Sequence, residues 1–274
     1  IAIDSQGDLY IYDEGNRRIQ KFSPDGAFLL MFGGSVDKGP NHPGNLCTAQ
    51  YLQEGDECGA GTPGSAPGEF ENFVNVGSRI GVDASDRIYV GDAERVQVFD
   101  SDGAFLKAIA VPFLGKGTVQ SLAVTPSGEL FASFDQDEDN RFVQPNVLKV
   151  EADGSAGCTM QVAQPWAIAT APDGGAYVVN RLEALVPPES RLLKFGADCE
   201  PEGEVEIGEL SVSTGVATGG ACFGSGYDVY LTQAGRLEYE SFVRAFGPPP
   251  DDPACPPPAL APTVSEQLAE KVTS

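Results

Sequence analysis

The residues in this chain best suited to chemistry are carboxylates, cysteines and one histidine, and their spacing narrows what they can do. Asp135-Gln136-Asp137-Glu138-Asp139-Asn140 places carboxylates at alternate positions, as oxygen-ligand Ca²⁺ loops do. A helix–loop–helix calcium loop needs glycine sixth and a bidentate glutamate twelfth; those positions hold Asn140 and Asn146. The expectation is a solvated acidic hairpin loop with no cofactor, the alternative being a weak Ca²⁺ site on Asp135, Asp137 and Asp139. His42 is the only histidine. It cannot build a His-rich zinc centre, and neither a G-x-S-x-G turn nor a Ser-His-Asp triad within its reach is present.

Six cysteines stand in Gly/Pro-rich turns and loops with no C-x-x-C pair, which reads as disulfides rather than zinc. Disulfides imply an oxidising compartment, outside the cell or on its surface. Cys47 and Cys58 share one loop and read as a local staple, although six cysteines formally allow 15 pairings. Acidic residues number 40 against 17 basic, for a net charge of −23. That charge opposes a polyphosphate backbone and an anionic membrane surface, so no nucleic-acid or membrane partner is expected. It favours solubility and attracts Ca²⁺ or a basic partner. No apolar run is long enough to span a bilayer and no signal peptide is visible. The chain opens on the strand-like Ile1-Ala2-Ile3-Asp4, so a fragment with its targeting segment upstream is expected.

The elements that position these residues come from an internal repeat. Ile1 to Phe32 reads IAIDSQGDLYIYDEGNRRIQKFSPDGAFLLMF, and Ile80 to Ile109 reads IGVDASDRIYVGDAERVQVFDSDGAFLKAI. Each unit has an apolar stretch ending in Asp, a turn, a Tyr-rich strand ending in Asp, a basic-led alternating strand, an Asp-Gly turn and a last apolar strand. That pattern fits four antiparallel strands, a to d. Ile3-Asp4, Tyr10-Ile11-Tyr12-Asp13, Asn16-Arg17-Arg18-Ile19 and Ser23-Pro24-Asp25-Gly26 carry a resemblance to the NHL repeat, a blade of a six-bladed β-propeller. Val82-Asp83, Tyr89-Val90-Gly91-Asp92 and Arg95-Val96-Gln97-Val98-Phe99 repeat it. Three weaker units follow, around Leu122–Gly154, Ala167–Phe195 and Val216–Phe246, the last without a fourth strand.

The expected fold is thus an all-β propeller of NHL-type four-stranded blades, five visible over residues 1–246 (the last incomplete), with an insertion at 33–77. The family closes a ring of six, which implies a further blade upstream. The resemblance also implies that Asp13 with Arg18, and Asp92 with Arg95, tie neighbouring strands within a blade. Cys158 and Cys199 fall at or just beyond the c–d turns of adjacent blades, which makes a bridge between blades plausible; Cys222 is left for Cys255 in the tail. Residues 247–274 are Pro-rich, a semi-rigid spacer leading to further domains of the same chain, first a β-sandwich.

The a–b and c–d turns, on one face, are short. The b–c loops and blade connections on the other face carry the extra length, at residues 33–77, 135–146 and 181–190. Long loops on a rigid scaffold are where function usually sits. The expected function is an extracellular binding or scaffolding module, not an enzyme, presenting this acidic face to a protein or glycan. Removing residues 35–75 is expected to abolish capture and leave the fold. The inner strands offer Asp4 and Asp83 at their ends and otherwise small or apolar residues, too few to build the channel of a calcium-dependent propeller hydrolase or lyase, which stands as the alternative beside a purely structural spacer.

Overall fold

Short alternating strands separated by left-handed turn residues build five antiparallel sheets, each in chain order. The computed structural model describes residues 1–71, 79–93, 95–111, 119–134, 147–182, 189–208, 212–219, 228–234 and 241–246. Blade one holds β1 (Ala2–Ile3), β2 (Leu9–Asp13), β3 (Arg18–Phe22) and β4 (Phe28–Asp37), and gains a fifth strand, β5 (Gly44–Thr48), followed by the short helix α1 (Ala49–Gln53). Blade two holds β6 (Ile80–Val82), β7 (Ile88–Asp92), β8 (Arg95–Phe99) and β9 (Phe105–Ala110). Blade three holds β10 (Val119–Val124), β11 (Leu130–Phe134), β12 (Val147–Val150) and β13 (Ala156–Met160). Blade four holds β14 (Pro165–Thr170), β15 (Ala176–Leu182), β16 (Glu189–Phe195) and β17 (Pro201–Gly208). Blade five, among the described residues, holds β18 (Val212–Gly219), β19 (Asp228–Ala234) and β20 (Ser241–Phe246). The first strands of successive blades pack beside one another: β1 on β6, β6 on β10, β10 on β14 and β14 on β18.

The core lies between blades. Period-2 alternation sends Tyr10, Ile19, Leu30 and Phe32 to one side of blade one, where they meet Ile80, Ile88, Val90 and Phe99 of blade two. Tyr89, Val96 and Val98 meet Leu122, Leu130 and Leu148 in the next layer, and Phe131, Val147 and Met160 meet Ile168, Val178 and Phe195 in the one after. Each large side chain so buried contributes about 1.5–3 kcal/mol. The opposite face of blade one is open: Ile1 is 73% exposed, whereas Ile80, its counterpart in blade two, is 4% exposed.

Lysines cross the blade junctions to one repeated acceptor, the carbonyl of the second residue in the next blade's c–d turn. Lys21 donates to Ser101 O at 3.2 Å and Lys149 to Ala197 O at 3.4 Å. Val98 occupies the same strand position in blade two, and there Lys107 of β9 reaches Ala152 O at 3.5 Å instead. Lys21 and Lys149 are buried, so their charges need partners. Lys21 lies 3.3 Å from Asp4 and 3.0 Å from Asp8, and Lys149 lies 2.9 Å from Glu129.

The turns repeat as well. Gly7, Gly128 and Gly174 take the left-handed position of their a–b turns, and Asp86 takes it in blade two at φ 57°. Asp86 also accepts from Ser5 N at 2.8 Å and Ser5 Oγ at 2.7 Å, linking blades one and two. In the c–d turns the position belongs to Gly26, Gly103 and Gly154, and in blade four to Cys199 at φ 66°. Cys199 is bonded to Cys158 of β13, so a bridge between blades three and four holds this strained residue in place.

Candidate functional site

The loop-bearing face is organised by a three-residue arrangement present twice. At the end of β2, Asp13 Oδ2 accepts from Arg18 Nε at 2.8 Å and from Gln20 Nε2 at 3.1 Å, both on β3. At the end of β7, Asp92 Oδ2 accepts from Arg95 Nε at 2.9 Å and from Gln97 Nε2 at 3.0 Å, both on β8. The aspartates face β-strand neighbours directly, Asp13 opposite Arg18 and Asp92 opposite Arg95. Asn180 occupies the corresponding position in blade four, and its Oδ1 accepts from Gln164 N at 2.9 Å, as Asp92 Oδ1 accepts from Glu71 N. The b-strand terminus thus holds the incoming blade connection.

The same two arginines, with Gln97, grip the first insertion. Arg18 donates to Gly59 O at 3.1 Å. Arg95 donates to Ser65 O at 2.6 Å and Glu69 O at 3.0 Å, and Gln97 donates to Glu69 O at 2.7 Å while accepting from Gly68 N at 3.0 Å. Between these grips, Gly61 N donates to Asn16 O at 2.7 Å, and a Cβ at Gly61 would stand 2.2 Å from Arg17 O, so only glycine fits that approach. Cys47 and Cys58 are joined, with Cα atoms 5.6 Å apart. Val36, Cys47 and Met31 form a small buried cluster beneath that bridge. Phe70 is fully buried between blades one and two, its ring 5.9 Å from Phe99 and 6.5 Å from Phe32.

Removing residues 35–75 would therefore strip contacts from the fold itself, against the expectation that it leaves the fold intact. Their described part supplies a fifth strand, a disulfide and an aromatic wedge to the propeller itself. β4 also runs on to Asp37, past the expected start of the insertion at Gly33. What the insertion presents outward is a tip built on α1. Thr48 caps the helix by accepting from Tyr51 N at 3.2 Å, and the Tyr51 ring stacks on His42 at 3.9 Å, 5° from parallel. His42 Nδ1 lies 2.7 Å from Asp56 Oδ2. Burial works against a charge on Asp56, but donors from Asn41 and His42 outweigh it and hold its carboxyl below the usual range. His42 Nε2 faces Glu54 Oε2 at 3.5 Å.

The inner-strand aspartates are consumed by the turns. Asp4 Oδ1 accepts from Gln6 N and Asp8 N, and its other oxygen from Tyr10. Asp83 Oδ1 accepts from Ser85 N and Arg87 N, and its other oxygen from Arg87 at 2.6 Å and Tyr89 at 3.1 Å. Burial pushes the Tyr10 and Tyr89 hydroxyls up to about 12. Asp135, Asp137, Asp139, Cys222 and Cys255 lie outside the described residues. Among the described residues, no group of three or more His, Cys, Asp or Glu is arranged to hold a metal ion, and no helix is long and apolar enough to cross a membrane. The sequence reading missed Gln20, Gln97, the junction lysines and the His42–Asp56 pair. A signal existed for the glutamines, which recur two residues after each arginine.

No family model matches the chain, and no curated protein matches it. Solved structures do. A gluconolactonase from Xanthomonas campestris aligns at a TM-score of 0.52 and 13% identity, over 90% of this chain and 73% of that one. A catalytically inactive virginiamycin B lyase from Staphylococcus aureus, solved with quinupristin, aligns at 0.50 and 12% identity, over 89% of this chain and 67% of that one. At such identities the likeness speaks of architecture alone, and with the sheet order it establishes that the chain folds as a β-propeller.

Proposed function

We propose that this chain is an NHL-type propeller module of an extracellular or cell-surface protein, which presents its loop-bearing, acidic face to a protein or glycan partner. One observation carries this reading: Arg18, Arg95, Gln97 and Phe70 seat the first insertion on two blades, so its tip is displayed in a fixed position rather than left as loose loop. A preorganised tip loses little conformational entropy on binding. The bonded cysteine pairs Cys47–Cys58 and Cys158–Cys199 support an oxidising compartment.

The test leaves the scaffold intact. Leu52 and Glu54 are exposed on the tip, so the double substitution Leu52→Arg, Glu54→Arg reverses its character without opening the core. Wild type and variant are compared on a glycan array and against a panel of cationic surface proteins at low and physiological salt. Binding that disappears in the variant at unchanged Tm supports the reading. Equal binding by both proteins, or none by either, removes it.

A further inference from the structure

We propose that His42 Nε2 and Glu54 form a two-ligand site for Zn²⁺ at the tip of the first insertion, with Asp56 as the carboxylate that orients the imidazole. The argument starts from protons. His42 Nδ1 and Asp56 Oδ2 lie 2.7 Å apart and both carry lone pairs, so a proton must sit between them. The Asp56 side chain is fully buried, and its Oδ1 already accepts from Asn41 N at 2.8 Å. Nδ1 is therefore the donor. In neutral His42 this leaves the lone pair of Nε2 directed outward, the arrangement by which a carboxylate prepares a metal-binding histidine. Stacking on Tyr51 fixes the plane of the ring.

Nε2 then faces a second anionic acceptor, Glu54 Oε2, at 3.5 Å. A direct charged N–H···O bond would close to about 2.7–2.9 Å. A tetrahedral Zn²⁺ with bonds of about 2.0–2.2 Å holds two of its ligand atoms about 3.4 Å apart, close to the 3.5 Å found. A mixed imidazole and carboxylate pair selects Zn²⁺ over Ca²⁺, which takes oxygen ligands only. The side chains of His42 and Glu54 are 36% and 41% exposed, so water reaches the remaining coordination positions. Lys38, the nearby cation of the same loop, lies along Gly59.

Because His42 is the sole histidine, its ring signals in an NMR spectrum need no assignment. Titrating the intact protein with ZnCl₂ should shift both ring signals to saturation at one ion per chain, while CaCl₂ leaves them in place. Calorimetry should show that His42→Ala and Glu54→Gln each lose this binding step, and that Asp56→Asn weakens it about 10–100-fold. An unchanged far-UV spectrum and Tm for Glu54→Gln, whose side chain is exposed, keeps the test independent of folding. Histidine signals that ignore Zn²⁺, a binding step that survives His42→Ala or Glu54→Gln, or a fully protonated ring unmoved by the ion would each overturn the site and leave a plain ion pair. Failure here leaves the binding-face reading untouched, since that rests on the seating of the insertion and not on a metal.

Discussion

Replacing Phe70 with alanine tests whether the first insertion is part of the propeller. The Phe70 ring is fully buried against Phe99 at 5.9 Å and Phe32 at 6.5 Å, and those two rings already touch at 4.6 Å. Truncation removes the transfer free energy of the ring, about 3 kcal/mol, and leaves a cavity that the neighbours fill only if the loop collapses onto it. Collapse is opposed by the polar grip on either side: Arg95 and Gln97 hold Glu69 O, and Asp92 holds Glu71 N. The cost should therefore fall in the upper part of the range for such changes, about 4 kcal/mol, or at least about 8 °C in Tm. Urea unfolding of the oxidised protein, followed by the fluorescence of its one tryptophan and by far-UV dichroism, reads this directly. The slope with urea should stay constant while the midpoint moves. Leu106→Ala, at a 49% exposed position, should cost less than about 0.5 kcal/mol and serves as control. A loss below about 1 kcal/mol for Phe70→Ala would refute the wedge and return the insertion to the status of surface ornament.

Removing the staple in the same loop, by Cys47→Ala with Cys58→Ala, should cost about 3 kcal/mol from the loop closed over a separation of 11 residues, seen as a lowered Tm under oxidising conditions, with any remaining response to reductant left to the Cys158–Cys199 bridge. A variant as stable as wild type would mean that β5 and α1 need no covalent tie. Alkaline titration offers a second check. Tyr10 and Tyr89 hold their protons to about 12 when folded, above the value of about 10 expected unfolded. The stability this contributes is complete below about pH 10 and is lost as pH climbs through about 12. Tyrosinate absorbance should therefore show a late phase that Tyr10→Phe with Tyr89→Phe diminishes, the rest belonging to Tyr12 and Tyr177, whose hydroxyls burial also pushes up; a single phase near pH 10 in the folded protein would contradict the burial argument.

Blade architecture was legible because a blade is a local object. Its turns, alternation and strand order lie within about thirty consecutive residues, and each of the pairs Asp13–Arg18 and Asp92–Arg95 spans one hairpin. What was not legible joins distant parts through the backbone. Lys21, Lys107 and Lys149 bond to carbonyls at Ser101, Ala152 and Ala197, and a carbonyl leaves no mark on residue type. The insertion was misread for a related reason. Its Gly and Pro content suggests a solvated loop, yet Val36 and Phe70 are apolar residues with no strand pattern around them, and only the fold shows that both are fully buried. His42 and Asp56 stand fourteen residues apart with β5 and α1 between them, where no single periodicity could pair them. Cys199 did carry a signal: it occupies the turn position that is glycine in three other blades.

The allocation of charge follows from the same junctions. With 17 basic residues against 40 acidic, the chain places Lys21 and Lys149 inside the blade layers and ties Arg87 and Arg95 to the fully buried side chains of Asp83 and Asp92. Their partners are withdrawn with them: among the described residues the buried charges are six aspartates against Lys21, Lys149 and Arg79, so the outer surface keeps most of the net charge of −23. Self-repulsion of that surface opposes the compact state and is screened by salt, with a Debye length of about 30 Å at 0.01 M falling to about 8 Å at 0.15 M. The buried junction pairs are screened far less. Stability should therefore rise as NaCl increases from about 0.01 M to about 0.15 M, with most of the gain at the low end. Thermal unfolding across that series decides the matter. A Tm that falls with added salt would mean that exposed ion pairs such as Lys194 with Asp173 and Glu202 hold the propeller together, and that the buried lysines do not.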